Sequence, residues 1–176
     1  MPRSSNATPR LRAPTLPRPL HVVLVEPEIP PNTGNVARLC AAAGSPLHLV
    51  GPLGFRIDEH SVRRAGVDYW HLVDVREHRD LASCLDAIGH PPLYLHTTRS
   101  DKSYLDAGYC LGAALLFGSE TRGFSAELRQ QYPDRLFSIP TVESSVRSLN
   151  LANAVSIVLY EALRASGLLN QLEVGP

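Results

Sequence analysis

From His21 onward, short apolar runs alternate with longer stretches whose apolar residues recur every three or four positions. HVVLV at 21–25 is closed by a proline-rich loop and reads as a buried strand. In NVARLCAAAG, Val36, Leu39, Cys40 and Ala43 stand at helical spacing, and Gly44 sits where a helix C-cap belongs. The strand, loop, helix unit then repeats loosely. PLHLV at 46–50 is a second strand, followed by a helix near Asp58 to Ala65 closed by Gly66, a strand WHLVDV at 70–75 and a helix near His78 to Ile88. PLYLHT, GAALLF and RLFSI supply three more strands, with a short helix near Ser125 to Gln131 and a long one from Leu151 to about Ala165. Such alternation predicts an α/β fold, a mostly parallel sheet with helices on both faces.

The 176 residues suit one domain, spanning 20–168, with a basic arm at 1–19 and a short tail at 169–176. Five prolines in the arm exclude a helix or a central strand there and predict disorder. Formal net charge is zero, yet the arm carries four arginines and no acid, leaving 13 basic and 17 acidic residues in the remainder. The body is therefore no polycation, and any nucleic-acid contact must come from a local arginine cluster or from the arm. Cys40, Cys84 and Cys110 are odd in number and widely spaced, which fits neither a disulfide framework nor a CxxC metal site. No apolar core of signal-peptide length opens the chain, and no long uncharged apolar run follows, so a cytoplasmic protein without a membrane span is expected.

Three loops are too rich in polar and glycine residues to be mere connections: EPEIPPNTGN after HVVLV, GSETRG after ALLF, and PTVESSVRSLN after LFSI. Each follows the C-terminal end of a predicted strand, and in an open parallel sheet those ends share the edge where ligands bind. Neighbouring strands would bring Asn32, Asn35, Arg38, Glu120, Arg122, Arg147, Ser148 and Asn150 to one crevice, with Gly34, Gly118 and Gly123 permitting close backbone approach. Asn32 and Asn35 are also candidate caps of the first helix, Arg122 a candidate partner for Glu120, and Glu143 one for Arg147. The signatures GxGxxG, GxxxxGK[ST] and GxSxG are all missing, which disfavours dinucleotide binding, P-loop phosphate binding and a serine nucleophile. Seven histidines without a paired metal spacing predict no metal.

The segments EPEIPPNTGNVARLCAAAG, LLFGSETRG and IPTVESSVRSLNLANAVSIVLYEALR, in that order and spacing, resemble the three motifs of the SPOUT class of RNA methyltransferases. Within it the chain is similar to the branch that 2'-O-methylates the wobble nucleotide, position 34, of certain tRNAs such as tRNA-Leu, at cytidine or modified uridine. The resemblance covers about His21 to Gly167. It implies a C-terminal trefoil knot, S-adenosylmethionine (S-adenosyl-L-methionine) bound at the knot, and a homodimer that shares the site. By position it implies cofactor contacts at His96, Gly118, Ile139, Ser148 and Leu149. His96 stands where the branch more usually carries an apolar residue.

Methyl transfer from a sulfonium to a ribose hydroxyl needs in-line placement and help for the charge developing on oxygen, with no metal or covalent intermediate. The resemblance makes Arg38, Asn32, Glu120, Ser148 and Asn150 the catalytic set and Arg122 and Arg147 the substrate contacts. A guanidinium stays protonated, so Arg38 is read as an alkoxide stabiliser or phosphate anchor. On the last helix, Val155, Val158, Leu159 and Ala162 form a core stripe, while Ala154 and Ile157 extend apolar surface beyond it. Asn153, Ser156, Tyr160 and Arg164 make a narrow polar row. This pattern suits either a large core or a dimer surface, and the resemblance favours the dimer with Tyr160 at its interface. Methylation of a ribosomal RNA and non-catalytic RNA binding stay open as alternatives.

Overall fold

The computed structural model describes residues 10–15, 17–55, 72–143 and 145–175. The helix expected near Asp58 to Ala65 lies outside these residues, as does the start of the strand expected at 70–75. In chain order the elements are β1 (Arg10–Arg12), β2 (His21–Val25), α1 (Pro30–Ala43), β3 (Leu47–Val50), β4 (Val75–His78), α2 (Leu81–Ile88), β5 (Leu93–His96), β6 (Ala114–Phe117), α3 (Ala126–Gln131), β7 (Leu136–Phe137), α4 (Leu151–Ala165) and β8 (Glu173–Gly175).

Among the described residues, six strands form one parallel sheet in the order β4-β3-β2-β6-β5-β7. The chain lays β2, β3 and β4 outward to one side, crosses to β5, and then inserts β6 between β5 and β2. The strand order therefore reverses at β2 and β6, and a crevice opens outside their C-terminal ends. These central strands are apolar because both their faces are covered: one cluster packs α1 and α4 against Val22, Leu24 and Leu115, the other packs Cys84 of α2 and Phe124 against Val23, Leu95 and Leu116. Val155, Val158, Leu159 and Ala162 of α4 are fully buried, as the core stripe requires.

Two expected boundaries are corrected. The strand sought in WHLVDV lies instead at Val75–His78, where Leu47 pairs with Val75 and Val50 with His78. It is the sheet edge, exposed at Arg76 and Glu77, and an edge strand needs no continuous apolar run to mark it. Helix α2 starts at Leu81 rather than near His78, because the Asp80 carboxylate accepts from Ser83 N at 2.8 Å and Ser83 Oγ accepts from Asp80 N at 3.3 Å. Part of the arm expected to be disordered is also ordered: Arg10–Arg12 pairs antiparallel with Glu173–Gly175, so arm and tail join in a small ribbon apart from the main sheet.

Candidate active site

Helix α1 begins five residues earlier than its apolar spacing suggests, at Pro30, with Ile29 as N-cap. Pro30 and Pro31 bring no N–H groups, so two of the orphan donors at a helix start do not exist here. Neither Asn32 nor Asn35 caps the helix, contrary to expectation, since both lie inside it. The end is held by a distant carboxylate. Glu120, on the loop after β6, accepts from Glu28 N at 2.8 Å, Ile29 N at 3.3 Å and Asn32 Nδ2 at 3.0 Å.

The reverse connection is also made. Glu28 accepts from Thr121 Oγ1 at 2.6 Å and Thr121 N at 3.3 Å, and Arg122 pairs with Glu26 at 3.1 Å and Glu28 at 3.5 Å. Arg122 therefore does not partner Glu120, whose oxygens are taken by the start of α1. The third loop joins through Asn150. Its Oδ1 caps α4 by accepting from Ala152 N and Asn153 N, while its Nδ2 donates to Asn32 Oδ1 at 2.9 Å. Asn150, Asn32 and Glu120 thus form one hydrogen-bonded chain that joins the N-cap of α4, the first turn of α1 and the loop after β6, all far apart in sequence.

The loop after β6 folds tightly on itself. A β-carbon on Gly118 would lie 2.4 Å from the Gly123 carbonyl carbon and 2.6 Å from Phe124 N, and Gly123 adopts φ +67°. Both positions need glycine, one for space and one for conformation. Ser119 closes the turn through Gly123 N to Ser119 O at 2.9 Å.

These loops enclose a cavity of about 660 Å³. Its wall includes Asn32, His96, Gly118, Glu120, Arg122, Gly123, Ile139, Arg147, Ser148, Leu149 and Asn150, so the structure brings together eleven of the positions singled out in the sequence. Thr97, Thr98 and Arg99 line it as well, together with Arg129 of α3. The sequence reading missed this fourth loop. Its signal was available, since TTRS follows a strand end as the other three loops do, and β5 lies between β6 and β7 in the sheet. Arg122 is already paired with Glu26 and Glu28, and the wall's one glutamate, Glu120, is engaged by the start of α1, so Arg99, Arg129 and Arg147 give the wall a local excess of positive charge. Arg147 makes no ion pair among the described residues, and Glu143 accepts from Ser145 N instead.

His96 lines the cavity but its side chain turns inward. The Leu116 carbonyl can only accept, at 3.4 Å from Nδ1, so Nδ1 carries the proton and Nε2 accepts from the Tyr109 hydroxyl at 2.9 Å. The ring also stacks on Phe117 with centroids 4.9 Å apart. Burial pushes its pKa down to about 3, so the imidazole is neutral and serves as a core residue at the end of β5.

Arg38 and Asn35 are exposed on α1 and lie outside the cavity wall. The expectation that Arg38 and Asn32 share the crevice is corrected by helix geometry: six residues place them about 120° apart around the axis, one inward and one outward. Tyr160 is 47% exposed and Ile157 37% exposed on the outer side of α4, which packs beside α1.

Comparison with known proteins agrees with this geometry. Residues 19–160 match the model of the SpoU rRNA Methylase family. The tRNA (cytidine(34)-2'-O)-methyltransferase of Burkholderia cenocepacia (strain HI2424) is 45% identical over 149 residues, 84% of this chain and 96% of that protein. A solved structure described as giving insights into the 2-OH methylation of C/U34 on tRNA superposes with a TM-score of 0.78 at 44% identity, covering 85% of this chain and 97% of that one. The SpoU methyltransferase AviRb from Streptomyces viridochromogenes, solved with the cofactor AdoMet, gives a TM-score of 0.72 at 28% identity over 87% of this chain and 60% of its own.

Proposed function

The chain belongs to the SpoU rRNA Methylase family, and on that premise we propose that it is an S-adenosylmethionine-dependent tRNA 2'-O-methyltransferase acting on the wobble nucleotide, cytidine or modified uridine 34. The observation that carries this reading is the cavity built from the three motif loops and closed by the Asn150, Asn32 and Glu120 chain. Its volume lies within the roughly 300–1,000 Å³ usual for small-molecule sites, and its wall mixes apolar Ile139, Leu149 and Phe117 with hydroxyl and amide groups. S-Adenosylmethionine supplies an electrophilic sulfonium methyl when bound. Gly118, Ile139, Ser148, Leu149 and the strand end at His96 would hold it.

This chain's own part is placement and charge. The hydrogen-bonded chain from Asn150 through Asn32 to Glu120 keeps the loops in register, so that donor and acceptor meet in line. Arg122 and Arg147, with Arg99 and Arg129 beside them, suit RNA phosphates. Arg38 supplies a permanent cation that stabilises the alkoxide developing on the 2'-oxygen. Its place outside its own cavity wall favours a homodimer in which two copies share each site, with the exposed Ile157 and Tyr160 of α4 at the interface. The C-terminal segment forms the trefoil knot of the SPOUT class, residues 20–168 are the catalytic domain, and a tRNA substrate supports a cytoplasmic location.

The test is methyl transfer from labelled S-adenosylmethionine to unmodified and cell-derived tRNA pools, with the product nucleotide mapped by digestion and mass spectrometry. A 2'-O-methyl group at nucleotide 34 is expected. Cofactor binding with neither pool methylated would move the substrate to ribosomal RNA, and no cofactor binding would end the enzyme reading. Arg38→Ala is expected to abolish transfer while leaving cofactor affinity within a few-fold. Normal turnover in that variant would remove Arg38 from the reaction.

A further inference from the structure

The histidines that show no metal spacing in sequence meet across the sheet. Strand register puts Val23 beside His48 and His48 beside Arg76, so His21, His48 and His78 fall on one sheet face in a diagonal over three adjacent strands. His21 Nδ1 is 3.0 Å from His48 Nε2, and His48 Nδ1 is 2.9 Å from His78 Nε2. Helix α2 lies over the same face and sets Cys84, fully buried, against the last two: one ligand atom from each of His48, His78 and Cys84 lies within 4.8 Å of the others.

We infer that His48, His78 and Cys84 form a three-ligand metal site, with Zn²⁺ as the ion it fits best. Two imidazoles and a thiolate are a borderline-soft donor set, suited to Zn²⁺ and unsuited to Mg²⁺ or Ca²⁺, which take oxygen ligands. The nitrogen spacing is close to what the ion needs, and the Cys84 Sγ lies within 4.8 Å of a ring nitrogen of each histidine. Tetrahedral Zn²⁺ with its usual bond lengths holds two nitrogens about 3.3 Å apart and a nitrogen and a sulfur about 3.6 Å apart. The His48 to His78 pair therefore opens by about 0.4 Å to admit it. His21 acts behind the site. When His48 donates Nε2–H to His21 Nδ1, its Nδ1 lone pair faces the ion, the outer hydrogen bond by which metal-bound imidazoles are held in one tautomer. On binding the Cys84 thiol proton leaves to solvent past the half-buried His78, whose own proton moves from Nε2 to Nδ1, so both imidazoles bind in the neutral form. Three protein ligands leave a fourth position for water. The bound ion would tie α2 to β3 and β4 at the sheet edge, away from the wall of the methyl-transfer cavity.

Full-length protein, reduced and stripped with a chelator, would be titrated with Co²⁺ and then with Zn²⁺. One equivalent of Co²⁺ is expected to give visible tetrahedral bands and a near-ultraviolet thiolate band, both displaced by Zn²⁺. Cys84→Ser should lose the thiolate band, and His78→Gln should weaken Zn²⁺ by at least about tenfold in competition with a chromophoric chelator. Both variants should retain methyl transfer, which also verifies their folding, because neither residue touches that cavity. His21→Phe should weaken Zn²⁺ by about 10–100-fold with the thiolate band intact. Failure to take up a stoichiometric ion, or a thiolate band unchanged in Cys84→Ser, would overturn the site.

Discussion

Gly118 has no room for a β-carbon, because the Gly123 and Phe124 backbone fills that space. Gly118→Ala must push the loop after β6 apart, which shifts Glu120 off the start of α1. A displacement of this kind costs about 10²-fold in methyl transfer when reacting groups move by an ångström. Turnover within two-fold of the parent, measured beside cofactor affinity, would show that the loop tolerates the shift. His96 predicts a pH effect. Its folded pKa of about 3 lies below the ordinary histidine value of 6.5, so between these limits the unfolded chain holds one more proton and stability falls as pH drops. The slope from this one buried group reaches about 1.4 kcal/mol per pH unit. Urea unfolding from pH 7 to pH 4 should show it, and His96→Leu should have the shallower slope even though Tyr109 loses its partner.

At the scale of elements, α4 has two different sides, and in the proposed homodimer each has its own job. The inner side, with Val155, Val158 and Leu159 fully buried, holds the core, and the outer side leaves Ile157 and Tyr160 in the open. Covering that outer side with a second copy removes apolar surface from water, the main driving force of association. Tyr160→Asp should therefore give inactive monomers with an unchanged far-ultraviolet spectrum. A fully dimeric variant in sedimentation would move the interface elsewhere. Leu159→Ala tests the inner side by contrast: a large-to-small change at a buried site should cost about 2–5 kcal/mol in denaturant unfolding without selectively splitting the proposed dimer.

At the scale of the molecule, the ribbon of Arg10–Arg12 with Glu173–Gly175 stands apart from the main sheet. A two-stranded ribbon is marginal alone, so deleting residues 1–12 should move Tm by no more than about 2 °C and leave methyl transfer in place. Loss of the cooperative transition would make the ribbon part of the domain. Exposed Arg10 and Arg12 would then be tested separately through the salt dependence of tRNA binding, since each phosphate left without its arginine lowers the slope by about one.

The alternation of HVVLV, PLHLV, PLYLHT and GAALLF with helical spacings determined the fold class, because buried parallel strands and amphipathic helices write their burial directly into the order of residues. The three loops with Asn32, Glu120, Gly118 and Asn150 were readable for a related reason: glycine and amide-rich turns at strand ends are costly unless backbone or ligand approaches closely. What the sequence could not hold was adjacency. Only the strand order seats β5 between β6 and β7 and so adds Thr97 to Arg99 to the cavity, and only the helix twist turns Arg38 outward while Asn32 turns in. The edge strand Val75–His78 was missed because it pairs on one side and carries no apolar run. The same register brings His48 and His78 within 2.9 Å, although thirty residues separate them in the chain. Local pattern is set by each residue's own burial, whereas proximity between distant residues is set by how the strands are ordered, and that is decided only when the whole sheet closes.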